Sequence, residues 1–169
     1  GEQRVPSVVA DLNRAVAERL TYQRRFEPGV WTPEETLQRE SGSCRDSAWL
    51  LVTILRHLGF SARFVSGYLI QPDDVTGLSC DLHAWAEAWI PESGWVGFDT
   101  TSGLMVAQHH IPLAVAGRPE ETAPISGLLD RCKATFEVTM RATPLPVGNI
   151  APELAMIGEA GVMHSHEAL

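Results

Sequence analysis

The chain has 169 residues, of which 44% are hydrophobic and 20% are charged, a composition typical of one folded domain rather than of a disordered segment. Its formal net charge of −8 argues against binding to nucleic acid or to an anionic membrane surface. Because the sequence shows no 18-residue apolar stretch and no signal peptide, we expect a cytoplasmic protein that does not contact a membrane.

Helical periodicity appears in three segments. Residues 7–20 place most of their apolar side chains on one stripe. TPEE at 32–35 has the form of a capping box with proline at the first helical position, and it predicts a short helix ending near Glu40. The third helix is predicted at 44–58, and its middle, SAWLLVTIL at 47–55, carries no charge on any face. A helix that is apolar all round belongs at the centre of a domain.

Strand-forming residues occur in five segments, which are 21–26, 60–70, 83–90, 95–99 and 132–143. A central helix followed by an antiparallel meander predicts an α+β fold.

The remaining segments lack a clear period. The acidic stretch PDDVTGLSCD at 72–81 predicts a solvated connecting loop, or a lid, and residues 103–130 are expected to be irregular. We place one domain at 1–145 and a weakly patterned C-terminal tail at 146–169.

The three cysteines, Cys44, Cys80 and Cys132, are an odd number in a chain too large to need disulfides, so reduced thiols are expected. Cys44 stands out because Ser43 is a good N-cap and Asp46 lies at the third helical position, which places Cys44 at the first. The helix dipole there favours a thiolate, and the free N–H groups could hold an oxyanion. Taken alone, the segment favours a buried structural cysteine.

A nucleophilic cysteine needs a base, and the base needs an orienting group. His83 begins the strand HAWAEAWI, and Asp99 ends the strand WVGFD. A five-residue loop at 90–94 pairs Trp89 with Trp95 and makes His83 and Asp99 diagonal neighbours on one face, whereas a four-residue loop separates them. A catalytic triad therefore requires an odd-length loop or a bulge. An edge histidine and a turn-capping aspartate are the structural alternatives.

Cysteine at a helix start, followed by histidine and aspartate on successive strands, is the order found in the transglutaminase-like superfamily. GSCRDSAWLLVTILRHLGFSARFVSGYL at 42–69 resembles its cysteine helix and following strand, and HAWAEAWIPESGWVGFDTT at 83–101 resembles its histidine and aspartate strands. HIPLAVAGRPEETAPISG at 110–127 is similar to the stretch after the aspartate in a bacterial branch. The resemblance covers about residues 22–138.

This resemblance implies a papain-like core, in which a cysteine-bearing helix packs on an antiparallel sheet that carries the histidine and the aspartate. It implies Cys44 as nucleophile, His83 as base and Asp99 as orienting acid. The expected enzyme is a cysteine hydrolase or acyltransferase that acts on amide bonds of a peptide or protein through a thioester, without a metal or other cofactor. The chain lacks room for the β-rich N-terminal domain that bacterial relatives often carry, so it is expected to be a fragment of a longer protein.

Two further groups of residues are candidates for the site. The backbone of Cys44 together with Tyr22 or Gln23 is a candidate for holding the oxyanion, although the latter two also fit a strand surface. Trp31 and Trp85, expected to be exposed, are candidates for lining an acyl groove.

Two rival interpretations remain open. A metal site has three weak signals, which are Cys80 with His83, His109 with His110, and His164 with His166. The second rival is a catalytically inactive module of the same fold that only binds.

Overall fold

The computed structural model describes residues 5–73, 77–125, 127, 130 and 138–142. The helices in this part are α1 (Val5–Arg19), α2 (Pro33–Arg39) and α3 (Cys44–His57), with a short 3-10 helix at Pro119–Thr122. The strands are β1 (Thr21–Tyr22), β2 (Ser41–Gly42), β3 (Ala62–Asp73), β4 (Gly77–Ile90), β5 (Gly94–Asp99), β6 (Leu104–Met105) and β7 (His110–Ala116). No helix among these residues is long and apolar enough to cross a membrane.

Helix α3 lies at the centre of the core, as its uncharged middle predicts. Ala48, Leu51, Val52 and Leu55 on this helix are fully buried. The helix packs on β3 and β4 of the sheet and is flanked by α1 and α2. Removing its apolar surface from water stabilises the fold by about 25 cal/mol per Å².

One antiparallel sheet carries the second half of the fold, with the strand order β6-β5-β4-β3-β7. Strand β4 alternates between its two faces. Ala84, Ala86 and Ala88 on one face belong to the hydrophobic core that contains α3, and small side chains there let the helix approach closely. The other face carries His83, Trp85 and Glu87. The α+β class and its cysteine-bearing central helix are confirmed.

Strands β3 and β4 are longer than expected. The register continues to Asp73 opposite Gly77, so the predicted loop or lid at 72–81 is wrong and most of it is strand. The outer part of this hairpin is exposed or half-buried on both faces. Its sequence therefore lacks the alternation of apolar and polar residues by which a half-buried strand is recognised. Main-chain pairing between β3 and β4, rather than side-chain burial, forms this part of the hairpin.

The region predicted to be irregular, 103–130, contains β6, β7 and the short 3-10 helix. Strand β7 pairs with β3 at the edge of the sheet, and three of its apolar side chains are exposed, so hydrophobic burial gave little signal. The predicted strand at 132–143 lies mostly outside the described residues, and residues 138–142 belong to no helix or strand. The predicted tail at 146–169 lies outside the described residues altogether.

Of the two elements predicted before α3, helix α2 is present as predicted, and strand β1 is shorter than predicted. The backbone N–H of Glu35 donates to the Thr32 hydroxyl at 3.1 Å, so the TPEE cap is present. The predicted strand at 21–26 is reduced to Thr21–Tyr22, which pairs in parallel with Ser41–Gly42. This short pair connects the chain ahead of α2 to the residues that lead into α3.

The start of α3 is fixed by Asp46, whose side chain is fully buried. Its carboxylate accepts hydrogen bonds from the Ser43 N–H at 2.8 Å and from the Ser43 hydroxyl at 2.7 Å. Nη1 of Arg25 lies 2.6 and 2.7 Å from the two carboxylate oxygens, and the Trp31 N–H donates at 2.8 Å. Burial favours the neutral acid, but these hydrogen bonds, with Arg25 first among them, lower the pKa of Asp46.

We predict that Asp46→Ala lowers the free energy of unfolding by about 3–5 kcal/mol, because it leaves the buried Arg25 guanidinium with only the exposed Glu27 carboxylate, 3.8 Å away, as counter-charge. Urea unfolding of the variant and the wild type measures this difference. Asp11→Ala is the matched control, since it removes an exposed Arg14–Asp11 pair and should change stability by less than about 1 kcal/mol. Equal effects of the two substitutions would contradict a structural role for Asp46.

Candidate active site

Cys44 lies at the first position of α3, after Ser43 in the extended conformation of an N-cap. Its side chain is 8% exposed, so the thiol is nearly enclosed at the helix N-terminus. Two buried hydroxyls connect this turn to the sheet, because Oγ of Ser47 lies 2.7 Å from Oγ1 of Thr100. Thr100 directly follows Asp99, so the cysteine turn and the end of β5 are held together.

His83 and Asp99 reach one another through the register of β4 and β5. Trp89 pairs with Trp95 and Ile90 with Gly94, which leaves a three-residue turn at 91–93. This is the odd-length loop and the tryptophan pairing that the triad requires, and the two indoles pack edge to face with centroids 5.6 Å apart. Continuing this register places Asp99 opposite Trp85. His83 lies two residues before Trp85 on β4 and on the same face, so it is the diagonal neighbour of Asp99.

The contacts form a chain from the thiol to the carboxylate. Nε2 of His83 lies 3.2 Å from Oδ1 of Asp99, which is an ion-pair distance, but its N–H is not aligned with that oxygen for a hydrogen bond. Cys44 lies close enough to the same imidazole for the thiol to contribute to the raised pKa of His83. The arrangement can take a proton from the thiol and hold the resulting imidazolium.

The electrostatics of the pair follow from these contacts. Burial alone disfavours the imidazolium, but the polar and charge interactions with Asp99 and Cys44 outweigh it and raise the pKa of His83 from 6.5 to about 10. For Asp99, burial favours the neutral acid, yet hydrogen bonds from histidines and from backbone hold its pKa far below the ordinary value. At neutral pH the site therefore contains a carboxylate and an imidazolium.

The carboxylate of Asp99 has further partners. Oδ1 accepts from the Thr101 N–H at 2.8 Å, and Oδ2 accepts from the Ser102 hydroxyl at 3.2 Å. Its backbone carbonyl accepts from Nδ2 of Asn13 on α1 at 3.2 Å. Asp99 is thus tied to helix α1 and to its own turn, as well as to His83.

His110, at the start of β7, lies beside the candidate site, whereas the sequence indicated it only as a metal-ligand candidate next to His109. Its Nε2 lies 3.3 Å from Oδ2 of Asp99, and its ring centroid is 5.6 Å from that of His83. The sequence offered only a weak signal, a histidine that opens the family-like stretch HIPLAVAGR. Placing it in the site requires the β3–β7 pairing, which short-range patterns do not reveal.

The two oxyanion candidates lie close to Cys44. Tyr22 and Gln23 follow one another where β1 pairs with β2, and the Gln23 N–H donates to the Gly42 carbonyl at 2.9 Å. Burial raises the pKa of the Tyr22 phenol, and the charge of Cys44 raises it further, so the hydroxyl keeps its proton and can donate. Gln23 can offer only its side-chain amide, because its backbone N–H is engaged.

The two tryptophan candidates lie in packed surroundings. Trp85 is 1% exposed, so its expected exposure is wrong, and its indole packs edge-on against His110 with centroids 5.3 Å apart. Trp31 is held between two guanidinium groups, Arg25 at 4.0 Å and Arg39 at 4.5 Å from its ring. Their assignment to a substrate groove stays a prediction.

The histidine pairs considered as metal ligands are arranged differently from the sequence expectation. Cys80 and His83 are three residues apart on β4, so their side chains point to opposite faces. His164 and His166 lie outside the described residues. The structure instead gathers His83, Asp99 and His110, whose ligand-type atoms lie within 4.8 Å of one another. The His–Asp contacts already account for this cluster without a metal ion.

Comparison with known proteins identifies relatives of this arrangement. The family model of the transglutaminase-like superfamily matches residues 2–100. An uncharacterised protein of Mycobacterium leprae is 32% identical over 115 residues, which cover 66% of this chain and 40% of the relative. A protein-glutamine gamma-glutamyltransferase of Pseudomonas aeruginosa is 38% identical over 99 residues, covering 52% of this chain and 14% of that protein.

Solved structures show the same fold. A candidate cysteine protease of Cytophaga hutchinsonii superposes with a TM-score of 0.61 at 24% identity, over 72% of this chain and 40% of that one. LapG of Legionella pneumophila gives a TM-score of 0.52 at 15% identity, over 68% and 66% of the two chains. The chain spans only about two fifths of the length of the mycobacterial relatives.

The raised pKa of His83 predicts a pH dependence of stability. A proton bound more tightly in the folded state stabilises it fully below pH 6.5, and this contribution is lost as the pH rises towards about 10. We expect the free energy of unfolding to fall across this window, by at most about 1.4 kcal/mol per pH unit. Urea unfolding of the wild type and of His83→Gln at pH 7, 8 and 9 tests this, since groups that do not interact with His83 cancel in the difference. Parallel profiles would contradict it.

Proposed function

This chain belongs to the transglutaminase-like superfamily, and we propose that it is a thiol-dependent acyl-transfer enzyme acting on amide bonds through Cys44, His83 and Asp99. The observation that carries the proposal is a cysteine at a helix N-terminus, close enough to an imidazole to raise its pKa, with a buried carboxylate 3.2 Å from that imidazole. Relatives named as a cysteine protease candidate and as a glutamyltransferase support this general kind of chemistry. Peptides or proteins are the substrates that fit it.

The first half-reaction forms a thioester. The Cys44 thiolate bonds to the amide carbonyl carbon, and the carbonyl oxygen takes the negative charge. The C–N bond then breaks as the His83 imidazolium gives its proton to the leaving nitrogen. Asp99 stabilises the imidazolium before this transfer and keeps the ring in place.

The oxyanion has two sources of stabilisation in the proposal. The N–H of Cys44 is at the first helical position, where no acceptor exists within the helix. The Tyr22 hydroxyl is a protonated donor close enough to Cys44 to be affected by its charge. Gln23 is the neighbouring alternative through its side-chain amide. Each donor of this kind contributes about 10²–10³-fold to the rate in enzymes where one has been removed.

The second half-reaction resolves the thioester. Neutral His83 takes a proton from water or from an amine as that nucleophile attacks, and the C–S bond breaks to return the thiolate and the imidazolium. Water gives hydrolysis and an amine gives transamidation. The residues of the triad serve both reactions equally, so the acceptor defines the reaction type.

We predict that iodoacetamide labels Cys44 at neutral pH at least about tenfold faster than Cys80 or Cys132, because Cys44 combines a helix N-terminus with a neighbouring imidazolium. Timed labelling followed by peptide mass spectrometry measures the three rates. His83→Ala should slow labelling of Cys44 by about tenfold or more, whereas Cys80→Ser should leave it unchanged. Slow and equal labelling of all three thiols would favour the inactive binding module instead.

Turnover itself is tested by trapping the acyl-enzyme. Incubation with a mixed peptide library should add an acyl group to Cys44 in the wild type, seen by mass spectrometry, and none in Cys44→Ser. Adding a small primary amine then separates the two reaction types. Acyl transfer to the amine indicates a transglutaminase-like enzyme, and release of the free acid in its presence indicates a hydrolase. A wild type that never acquires the acyl group would contradict the proposed function.

A further inference from the structure

We propose that His110 is a positioning residue for Asp99, holding the carboxylate from the side opposite His83 so that the Cys44–His83 pair keeps its geometry. This inference rests on the proposed function, since it assigns His110 a task within the same site. The contact that carries it is Nε2 of His110 at 3.3 Å from Oδ2 of Asp99. His110 has no contact with the thiol among the described hydrogen bonds and ring contacts, so it acts through Asp99.

The proton arrangement follows from the carboxylate. An ionised carboxylate only accepts hydrogen bonds, so both imidazoles must face it with an N–H. His110 therefore donates from Nε2 to Oδ2, while His83 faces Oδ1 with its own Nε2. Each oxygen also has one donor from the following turn, which is Thr101 for Oδ1 and Ser102 for Oδ2. Each carboxylate oxygen thus faces one imidazole and one donor from the turn, and removing His110 takes the imidazole away from Oδ2.

The surroundings of His110 show that the sheet is built to place it there. Its side chain is 9% exposed, and the buried Trp85 indole packs against it edge to face at 83°. Because Trp85 packs against the His110 ring and Asp99 contacts its Nε2, the ring has one orientation and can hold the Asp99 carboxylate in one orientation too. A surface histidine that met the carboxylate by chance would lack this packing.

Gly67 on β3 makes this approach possible. The pairing of β3 with β7 shifts register between Ser66 and Gly67, which is the bulge that sets where β7 begins. A Cβ on Gly67 would overlap the carbonyl oxygen of Ile111 and lie 2.8 Å from the Trp85 ring. Only glycine fits between these groups. The positions of Ile111, which follows His110, and of the Trp85 indole therefore depend on the lack of a side chain at Gly67.

Without His110, Oδ2 of Asp99 loses a charge-assisted hydrogen bond and keeps only the Ser102 hydroxyl, so the carboxylate is less firmly held towards His83. The imidazolium would then be less well oriented towards Cys44. Partners of this kind, which orient a reacting group through another residue, typically change activity by about 10–100-fold when removed. The effect should appear in the reactivity of Cys44, which His110 does not touch.

The experiment measures the rate at which iodoacetamide labels Cys44 at pH 7 in three variants. His110→Leu should slow labelling by about tenfold. His110→Gln should remain within about twofold of the wild type, because the glutamine amide nitrogen reaches the position of Nε2 and can donate to Oδ2. His110→Asn should behave like His110→Leu, because the asparagine nitrogen reaches only the position of Nδ1. His109→Leu is the matched control on the exposed neighbouring histidine and should label at the wild-type rate.

Thermal unfolding of every variant accompanies the rates, so that a loss of folding is seen directly. Rescue by glutamine but not by asparagine, at similar stability, supports the proposal. If His110→Gln labels as slowly as His110→Leu, or if His110→Leu labels like the wild type, the proposal is overturned. It is also overturned if elemental analysis finds a metal ion bound to the wild type at one equivalent and lost in His110→Leu, since His110 is then a ligand.

His83→Ala separates this outcome from a failure of the proposed function. If His83→Ala labels slowly and His110→Leu labels at the wild-type rate, only the positioning role fails. If both variants label at the wild-type rate, the Cys44–His83 pair itself is not an activated nucleophile, and the proposed function fails with it.

Discussion

The buried carboxylate of Asp46 is the constraint on which the rest of the site depends. A helix can begin at several neighbouring residues, and a shift by one residue would turn the Cys44 thiol by about 100° around the helix axis. Asp46 prevents this because it binds the Ser43 N–H and hydroxyl while also pairing with Arg25. Since Arg25 comes from the segment before α2, the same interaction closes that segment over the start of α3. The cysteine therefore has a fixed position before the sheet contributes anything.

Asp99 is the corresponding constraint on the sheet, and the two carboxylates are joined through buried hydroxyls. Ser47, one residue after Asp46, bonds to Thr100, one residue after Asp99. Asn13 adds a bond from α1 to the Asp99 carbonyl. The distance between the thiol and the imidazole is thus set by short polar contacts between rigid elements rather than by a flexible loop. Such preorganisation is what a catalytic site needs, because its donors then require little rearrangement during the reaction.

The features predicted from the sequence were those with short-range causes. The cap at Ser43, the uncharged α3 and the HAWAEAWI alternation each act over a few residues, and the tryptophan pairing fixed the register between β4 and β5. The outer β3–β4 hairpin and β7 were missed because main-chain pairing, not side-chain burial, forms them. Trp85 was expected at the surface because the alternation along β4 shows which side chains lie on the same face of the sheet, but not which element covers that face. That cover is β7 with His110, and it arises from pairing between residues more than 40 positions apart in the chain.

One carboxylate between two imidazoles poses the question of which histidine moves a proton. The two are not equivalent, because among the described residues only His83 interacts with Cys44 as well as with Asp99. A proton on His83 is therefore stabilised by both groups, and it can leave towards the sulfur side, where a substrate's leaving nitrogen would lie. His110 faces Asp99 with one nitrogen, while its Nδ1 is buried without a partner among the described residues. Among the described residues the polar contact of His110 with the Cys44–His83 pair runs only through Asp99, so we assign it a positioning role.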